Sequence, residues 1–226
     1  MADGQLERAN VGMAVRERLL SHIGAFQVPA PGLDLFAVRS FLTDEECDGL
    51  MAMIDKGKQP STVLGEHPDP DYRTSESCNL DRNDPLVQQV ERKITALMGI
   101  TPENGETIQG QRYAPGQQFK AHHDFFFIDQ PYWEREEPVG GQRTWTAMMF
   151  LNVPEAGGQT FFPRVGVRIT PRRGNLLAWN NLDDAGEPNF QSMHQGMPVE
   201  AGVKYVITKW FRERRWGHAV PVPDAH

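Results

Sequence analysis

Apolar positions along this chain follow two rhythms, and the change between them falls near residue 106. Before it, helical spacing dominates. Residues 1–25 predict a helix with Leu6, Met13, Leu20 and Ile23 packed against the outside of the domain. After a VPAPG break, the run LDLFAVRSFL predicts a strand. TDEECDGLMAMID then predicts a helix, with Thr43 and Glu46 as a capping box and an apolar stripe at Cys47, Leu50, Met51 and Ile54. Residues 57–83, rich in Pro, Asp and Ser, are expected to form a long loop. DPLVQQVERKITALMG carries the strongest helical signal: Asp84 caps, Pro85 suits the first turn and Gly99 ends it.

From residue 107 the pattern becomes one of short strands. TIQGQRYA, TWTAMMFLNV, GQTFFP, VRITP, GNLLAWN and VKYVITKWF follow one another across turn residues, with no helical stretch between them. Such a series predicts a sandwich, jelly roll or barrel. The expected fold is therefore α+β and mainly β, helices first and strands after. The chain divides into an N-terminal helix and linker (1–30), supporting helices and a loop (31–105) and a β core (106–216), all within one domain. There is no internal repeat.

Composition narrows the function. Hydrophobic residues make up 39% and charged residues 23%, an ordinary globular balance. No run of 18 apolar residues exists, and the opening MADGQLERAN lacks the basic-then-apolar layout of a signal peptide. A cytoplasmic protein is expected, with no membrane partner. The net charge of −7 argues against nucleic acid, since RERRW at 212–216 is the one dense basic run. Cys47 and Cys78 do not form a CxxC pair and are expected to be buried thiols in a reducing compartment. Nothing in the pattern speaks to oligomeric state.

The chemistry concentrates in QRYAPGQQFKAHHDFFFID, residues 111–129. His122 and Asp124, two apart where a strand runs into three phenylalanines, point to one side and can share a metal ion. His123 faces the opposite way and is not expected to be a ligand. A second such pair, His67 and Asp69, sits in a Pro-rich acidic loop, where His67 is expected to be solvated. His194, 70 residues after Asp124, supplies a third donor. Two imidazoles and one carboxylate leave three coordination positions open, which suits a non-haem Fe(II) oxygenase; zinc with a bound water is the competing use. An oxygenase of this type needs an electron-supplying co-substrate such as 2-oxoglutarate, whose far carboxylate requires a cation. Lys204, ten residues after His194 and among the apolar Val203, Tyr205, Val206 and Ile207, is placed for that.

RYAPGQQFKAHHD, FLNVPEAGGQTFFP, ITPRRGNLLAWNN and MHQGMPVEAGVKYVITKW together resemble the catalytic domain of prolyl 4-hydroxylases, the Fe(II)- and 2-oxoglutarate-dependent dioxygenases. FLTDEECDGL and NGETIQGQRY extend the likeness over roughly residues 35–212, and the chain resembles the compact bacterial-type members. The resemblance implies a double-stranded β-helix (jelly roll) with supporting helices. It implies His122, Asp124 and His194 as iron ligands, Lys204 on the far carboxylate of 2-oxoglutarate, and Tyr113 and Thr160 as hydrogen-bonding partners of that co-substrate. Arg143 and Trp210 match positions that line the peptide side of the pocket.

The implied reaction consumes 2-oxoglutarate and O₂, releases succinate and CO₂, and hydroxylates prolyl residues in a peptide or protein. Ascorbate is an accessory molecule of that chemistry. Family members often carry tyrosine three residues before the first iron histidine; here Phe119 stands there, which bears on how the proline is held. The aromatic, acidic segment 125–143 is expected to be a mobile lid. Two rival readings stand beside this one: the same chemistry on a free amino acid or other small molecule, and a non-enzymatic β-barrel that binds metal or peptide.

Overall fold

The computed structural model describes residues 3–63 and 68–217, so His67 lies outside the described residues. In chain order the elements are α1 (Asp3–Ser21), β1 (Ala25–Gln27), β2 (Leu35–Val38), α2 (Asp44–Gly57), β3 (Gln59–Pro60), β4 (Glu76–Asn79) and α3 (Pro85–Met98). There follow β5 (Gln109–Tyr113), β6 (Phe119–His122), α4 (Trp133–Glu136), β7 (Arg143–Phe150), β8 (Ala156–Gly157), β9 (Thr160–Phe162) and β10 (Val167–Ile169). The chain then runs through β11 (Leu176–Asn180), β12 (His194–Gly196), β13 (Val199–Ala201) and β14 (Lys204–Arg212).

An eight-stranded sheet has the order β1-β2-β11-β7-β14-β5-β4-β3, and a four-stranded sheet the order β10-β9-β12-β6. All strand pairings are antiparallel. Side-chain alternation on the large sheet builds two cores. Trp145, Ala147 and Met149 of β7, with Ile207 and Phe211 of β14, pack against the helices. Met148 and Phe150, with Val206, Leu177 and Trp179, pack against Phe162 and Phe119 of the small sheet. The large sheet is therefore covered on both faces, and its central strands read as almost continuously apolar. This is the mainly β, jelly-roll arrangement implied by the sequence, with the functional residues in the inter-sheet core.

The helical signals for α2 and α3 hold. Thr43 and Glu46 form the reciprocal capping box, Asp84 accepts from the amides of Leu86 and Val87, and Gly99 ends α3 at φ 70°. The face assigned to α1 does not hold. Leu6, Met13, Leu20 and Ile23 are all exposed, the helix stops at Ser21, and Ala9, Val15 and Leu19 are the buried positions. The true contact face is poor in large apolar side chains because the helix lies close to the sheet. A β-carbon added at Gly12 would come within 3.0 Å of Asn180 Nδ2. Arg18, from the same helix, donates to the carbonyls of Ala96 and Leu97 and caps α3.

Three further expectations are corrected. The segment 57–83 is not only loop, because β3 and β4 add the last two strands of the large sheet. β4 pairs with β5 at long range and β3 pairs with β4, which leaves no local alternation to read. β2 sits between β1 and β11, so the sheet takes strands from before residue 106. Within 125–143 the short helix α4 interrupts the run of strands. Cys47 is buried, Cys78 half-buried, and both are free thiols. No helix among the described residues is long and apolar enough to cross a membrane.

Candidate active site

β6 and β12 are neighbours in the small sheet, and His122 and His194 are register partners across them. Asp124 follows directly after β6. Its carboxylate lies 3.8 Å from His122 Nε2 and 3.7 Å from His194 Nε2. One donor atom from each of the three residues falls within 4.8 Å of the others. His122 Nδ1–H donates to the Lys120 carbonyl at 2.8 Å, and His194 Nδ1–H to the Ser192 carbonyl at 2.9 Å. A carbonyl can only accept, so Nδ1 carries a proton in both rings, and each ring turns its Nε2 toward the carboxylate.

The electrostatics agree with a cation site. Burial, with the neighbouring His194, pushes the His122 imidazole down to about 3, so it stays neutral. Burial alone would raise the Asp124 carboxyl, but His194, His122, Arg143 and the Thr146 hydroxyl together hold it below its ordinary value. Aromatic rings complete the enclosure. Phe119 stacks on His122 at 3.6 Å between centroids, and Trp179 meets His194 edge-on at 4.7 Å. Two imidazoles and a carboxylate converging in a shielded place fit a divalent iron.

Behind the triad is a small, partly open pocket of about 30 Å³ that also touches Tyr113, Thr160, Lys204 and Trp210. Lys204 is 2% exposed and makes no ion pair among the described residues. Its ammonium faces the rings of Tyr113 at 5.3 Å and Phe150 at 5.8 Å, and burial pushes it down to about 7. Among the described residues the buried Thr160 hydroxyl has no hydrogen-bond partner. A buried cation and a buried hydroxyl left without partners are costly unless something fills the space between them. A small dicarboxylate meets both demands. Tyr113, the register partner of Lys204 on β5, donates its hydroxyl to Gln111 Oε1 at 2.9 Å. Gly158, at φ 70°, lets its loop run beside Lys204, where an added β-carbon would sit 3.3 Å from Lys204 Cδ.

In front of the triad a cleft of about 670 Å³ opens to solvent past Phe119, Tyr72, Arg73, Arg143 and Trp210. Arg143 grips both oxygens of Glu106, Nε at 2.6 Å and Nη2 at 2.7 Å, and lies 4.2 Å from the Trp210 ring centroid and 4.9 Å from that of Phe126. Much of its hydrogen-bonding capacity is therefore spent inside the protein. Arg73 was not singled out from sequence because it sits in the expected 57–83 loop. Its guanidinium covers Phe119 at 4.7 Å and donates to Gln109 and the Thr62 carbonyl. Thr146 and Gln111 were also missed; sheet parity with Asp124's neighbours and Tyr113 was the only available signal.

The segment 125–142 overhangs this cleft as a folded flap. Gln142 exchanges two hydrogen bonds with the backbone of Phe126, at 2.6 and 2.8 Å, and Arg212 pairs with Glu136 of α4 at 2.6 Å.

Residues 108–212 match the model of the 2OG-Fe(II) oxygenase superfamily. A probable prolyl 4-hydroxylase 8 of Arabidopsis thaliana is 34% identical over 202 residues, covering 78% of this chain and 67% of that protein. The chain belongs to the prolyl 4-hydroxylase family. Prolyl 4-hydroxylase 1 of the same plant is 32% identical over 200 residues, spanning 80% and 69% of the two chains. Among solved structures, the viral collagen prolyl hydroxylase of Paramecium Bursaria Chlorella virus-1, in complex with 2-oxoglutarate, superposes with a TM-score of 0.63. Its identity is 26%, over 79% of this chain and 94% of that one. As a prolyl 4-hydroxylase-family member this chain is an oxidoreductase whose cofactors are Fe(II), 2-oxoglutarate and O₂.

Proposed function

We propose that this enzyme hydroxylates prolyl residues within a peptide or protein. His122, Asp124 and His194 hold the iron, and Lys204, Tyr113 and Thr160 receive 2-oxoglutarate. Arg143 and Trp210 line the substrate side. The observation that carries the reading is the pairing of two unequal cavities about one His–Asp–His cluster. One is small and carries a cation with no ion-pair partner among the described residues; the other is a cleft of about 670 Å³, far larger than a free amino acid requires. That asymmetry favours a peptide over the small-molecule rival. The buried Lys204 favours an enzyme over a passive metal-binding barrel. A reducing, cytoplasmic setting is supported by the free Cys47 and Cys78.

The side chains divide the work. The Nε2 atoms of His122 and His194 and the Asp124 carboxylate bind the metal, with Nδ1–H bonds fixing both rings. Bound Fe(II) with 2-oxoglutarate and O₂ supplies the oxidising power, and the co-substrate leaves as succinate and CO₂. Lys204 would pair with the far carboxylate and the Thr160 hydroxyl would donate to it; the Tyr113 hydroxyl, bonded to Gln111 in this structure, would be the further donor from the same pocket. Phe119, Trp179 and Phe162 keep bulk water from the metal. Trp210, reaching both cavities, offers an aromatic wall to the pyrrolidine ring.

The test is an assay with Fe(II), 2-oxoglutarate and ascorbate against a panel of proline-containing peptides, their alanine-substituted twins and free proline. Succinate release and peptide gain of one oxygen are followed together. Oxygen gain confined to the proline peptides is expected. Equal modification of the alanine twins, or turnover of free proline alone, would overturn the proposal.

A further inference from the structure

Four rings close against one another at one edge of the open cleft. His123, Phe125 and Phe127 come from the turn directly after His122, and Phe190 from the turn before His194. Each of the ring pairs among them has a centroid separation between 4.6 and 6.3 Å. His123 Nε2–H also reaches the Phe190 carbonyl at 3.4 Å, tying the two turns together. Only Phe125 is buried: Phe127 is 38% exposed, Phe190 54% and the adjoining Ile128 67%. Folding alone does not account for large apolar groups gathered in water.

The position of this surface says what covers it. His123, Phe125 and Phe127 line the same cleft as His122 and Asp124, so the aromatic surface continues the substrate cleft outward from the metal ligands. An extended peptide advances roughly 3.3 Å per residue, which brings the positions next to the target proline over the cluster.

We propose that this aromatic cluster receives an apolar side chain adjacent to the target proline, making the enzyme selective for prolines flanked by a residue such as Leu or Phe. The inference rests on the peptide-hydroxylase reading above and specifies its substrate class. The stacked rings form a flat, uncharged receiving surface, and an apolar side chain laid on it removes both partners from water. A serine or aspartate in the same place leaves the rings wet and loses solvation of its own.

The experiment compares peptides identical except for Leu, Phe, Ser or Asp immediately before or after the proline, reading kcat/KM from oxygen gain. On one side of the proline, Leu and Phe are expected to exceed Ser by about tenfold, the usual discrimination of an apolar pocket. Phe190→Ser and Phe127→Ser, both changes at exposed positions, should each bring that ratio close to one. Circular dichroism checks that both variants fold. A ratio near one in the unaltered enzyme, or a ratio untouched in both variants, would overturn the inference while leaving peptide hydroxylation intact. If Phe190→Ser instead dissociates a dimer in analytical ultracentrifugation and leaves the ratio unchanged, the surface belongs to a second copy and the inference is wrong. Absence of oxygen gain on every proline peptide removes the inference together with the reading beneath it.

Discussion

Thr146 Oγ1 donates a 2.8 Å hydrogen bond to Asp124 Oδ2, and Asn181 Nδ2 donates to the same hydroxyl at 2.9 Å. All three residues are buried. The chain of donors orients the carboxylate from behind, leaving its front to the two imidazoles. Such outer hydrogen bonds set the affinity of a metal site.

Thr146→Val keeps the shape of the side chain and removes the hydroxyl, leaving Asp124 unoriented and the Asn181 amide unpaired. Fe(II) should bind about 10- to 100-fold more weakly, while Thr146→Ser stays near the parent value. Anaerobic titration of the metal measures this. As references, His122→Ala, Asp124→Ala and His194→Ala should each abolish activity. Equal Fe(II) affinity in the valine and parent proteins would remove Thr146 from the site.

Lys204→Met should raise the KM for 2-oxoglutarate steeply with iron binding retained, because loss of a charge-assisted pair in a buried setting costs about 2–5 kcal/mol. The pH dependence has a definite sign. Burial pushes the Lys204 ammonium down to about 7, so without co-substrate it loses its proton as pH rises past that value. Binding a carboxylate there must then take up a proton, and the apparent affinity should fall about tenfold per pH unit above 7 while remaining level below it. A KM for 2-oxoglutarate that stays level up to pH 9 would contradict this assignment.

How far the sequence could be read depends on how local each signal was. His122, Asp124, His194 and Lys204 were legible because strand parity and short motifs place them, and the structure does bring all four to one place. Trp210, which the family resemblance placed on the peptide side, shares strand parity with Lys204 and reaches the same pocket. Thr146 was not legible, because β7 is covered on both faces and offers no polar–apolar alternation to mark the side toward Asp124. Arg73 is placed by an antiparallel bridge to Phe119, a long-range event that a loop-like stretch does not announce. In α1 the eye follows Leu6, Met13 and Leu20, whereas close packing selects Ala9, Gly12, Val15 and Leu19.

That last difference can be measured. Leu19 is 0% exposed and packs in the helix-side core, whereas its neighbour Leu20 is 55% exposed. Leu19→Ala should destabilise the fold by about 2–5 kcal/mol, and Leu20→Ala by well under about 0.5 kcal/mol. Denaturant unfolding of the two variants decides it. Equal losses would mean that α1 packs on the face its sequence suggests.

Arg143 carries the final prediction. Its two-point grip on Glu106, with Trp210 and Phe126 against the guanidinium plane, makes it part of the cleft wall more than a free donor. Among the described residues Nη1 makes no hydrogen bond, and that arm is available to a peptide carbonyl. Arg143→Ala would remove both the donor and the stacking partner of Trp210. Among the described residues, it would also leave Glu106 only the more distant Arg212, 3.5 Å away, as an ion-pair partner. The KM for peptide should rise on the order of tenfold or more, the scale of a lost hydrogen bond to a charged group. The KM for 2-oxoglutarate should barely move, since that co-substrate is expected in the other cavity. With the peptide poorly held, succinate release should outrun oxygen gain on proline. Arg143→Lys should not rescue, because an ammonium cannot reproduce the planar two-point pairing. Parallel changes in both KM values, or full rescue by lysine, would show that Arg143 contributes charge to the whole site and does not position the peptide.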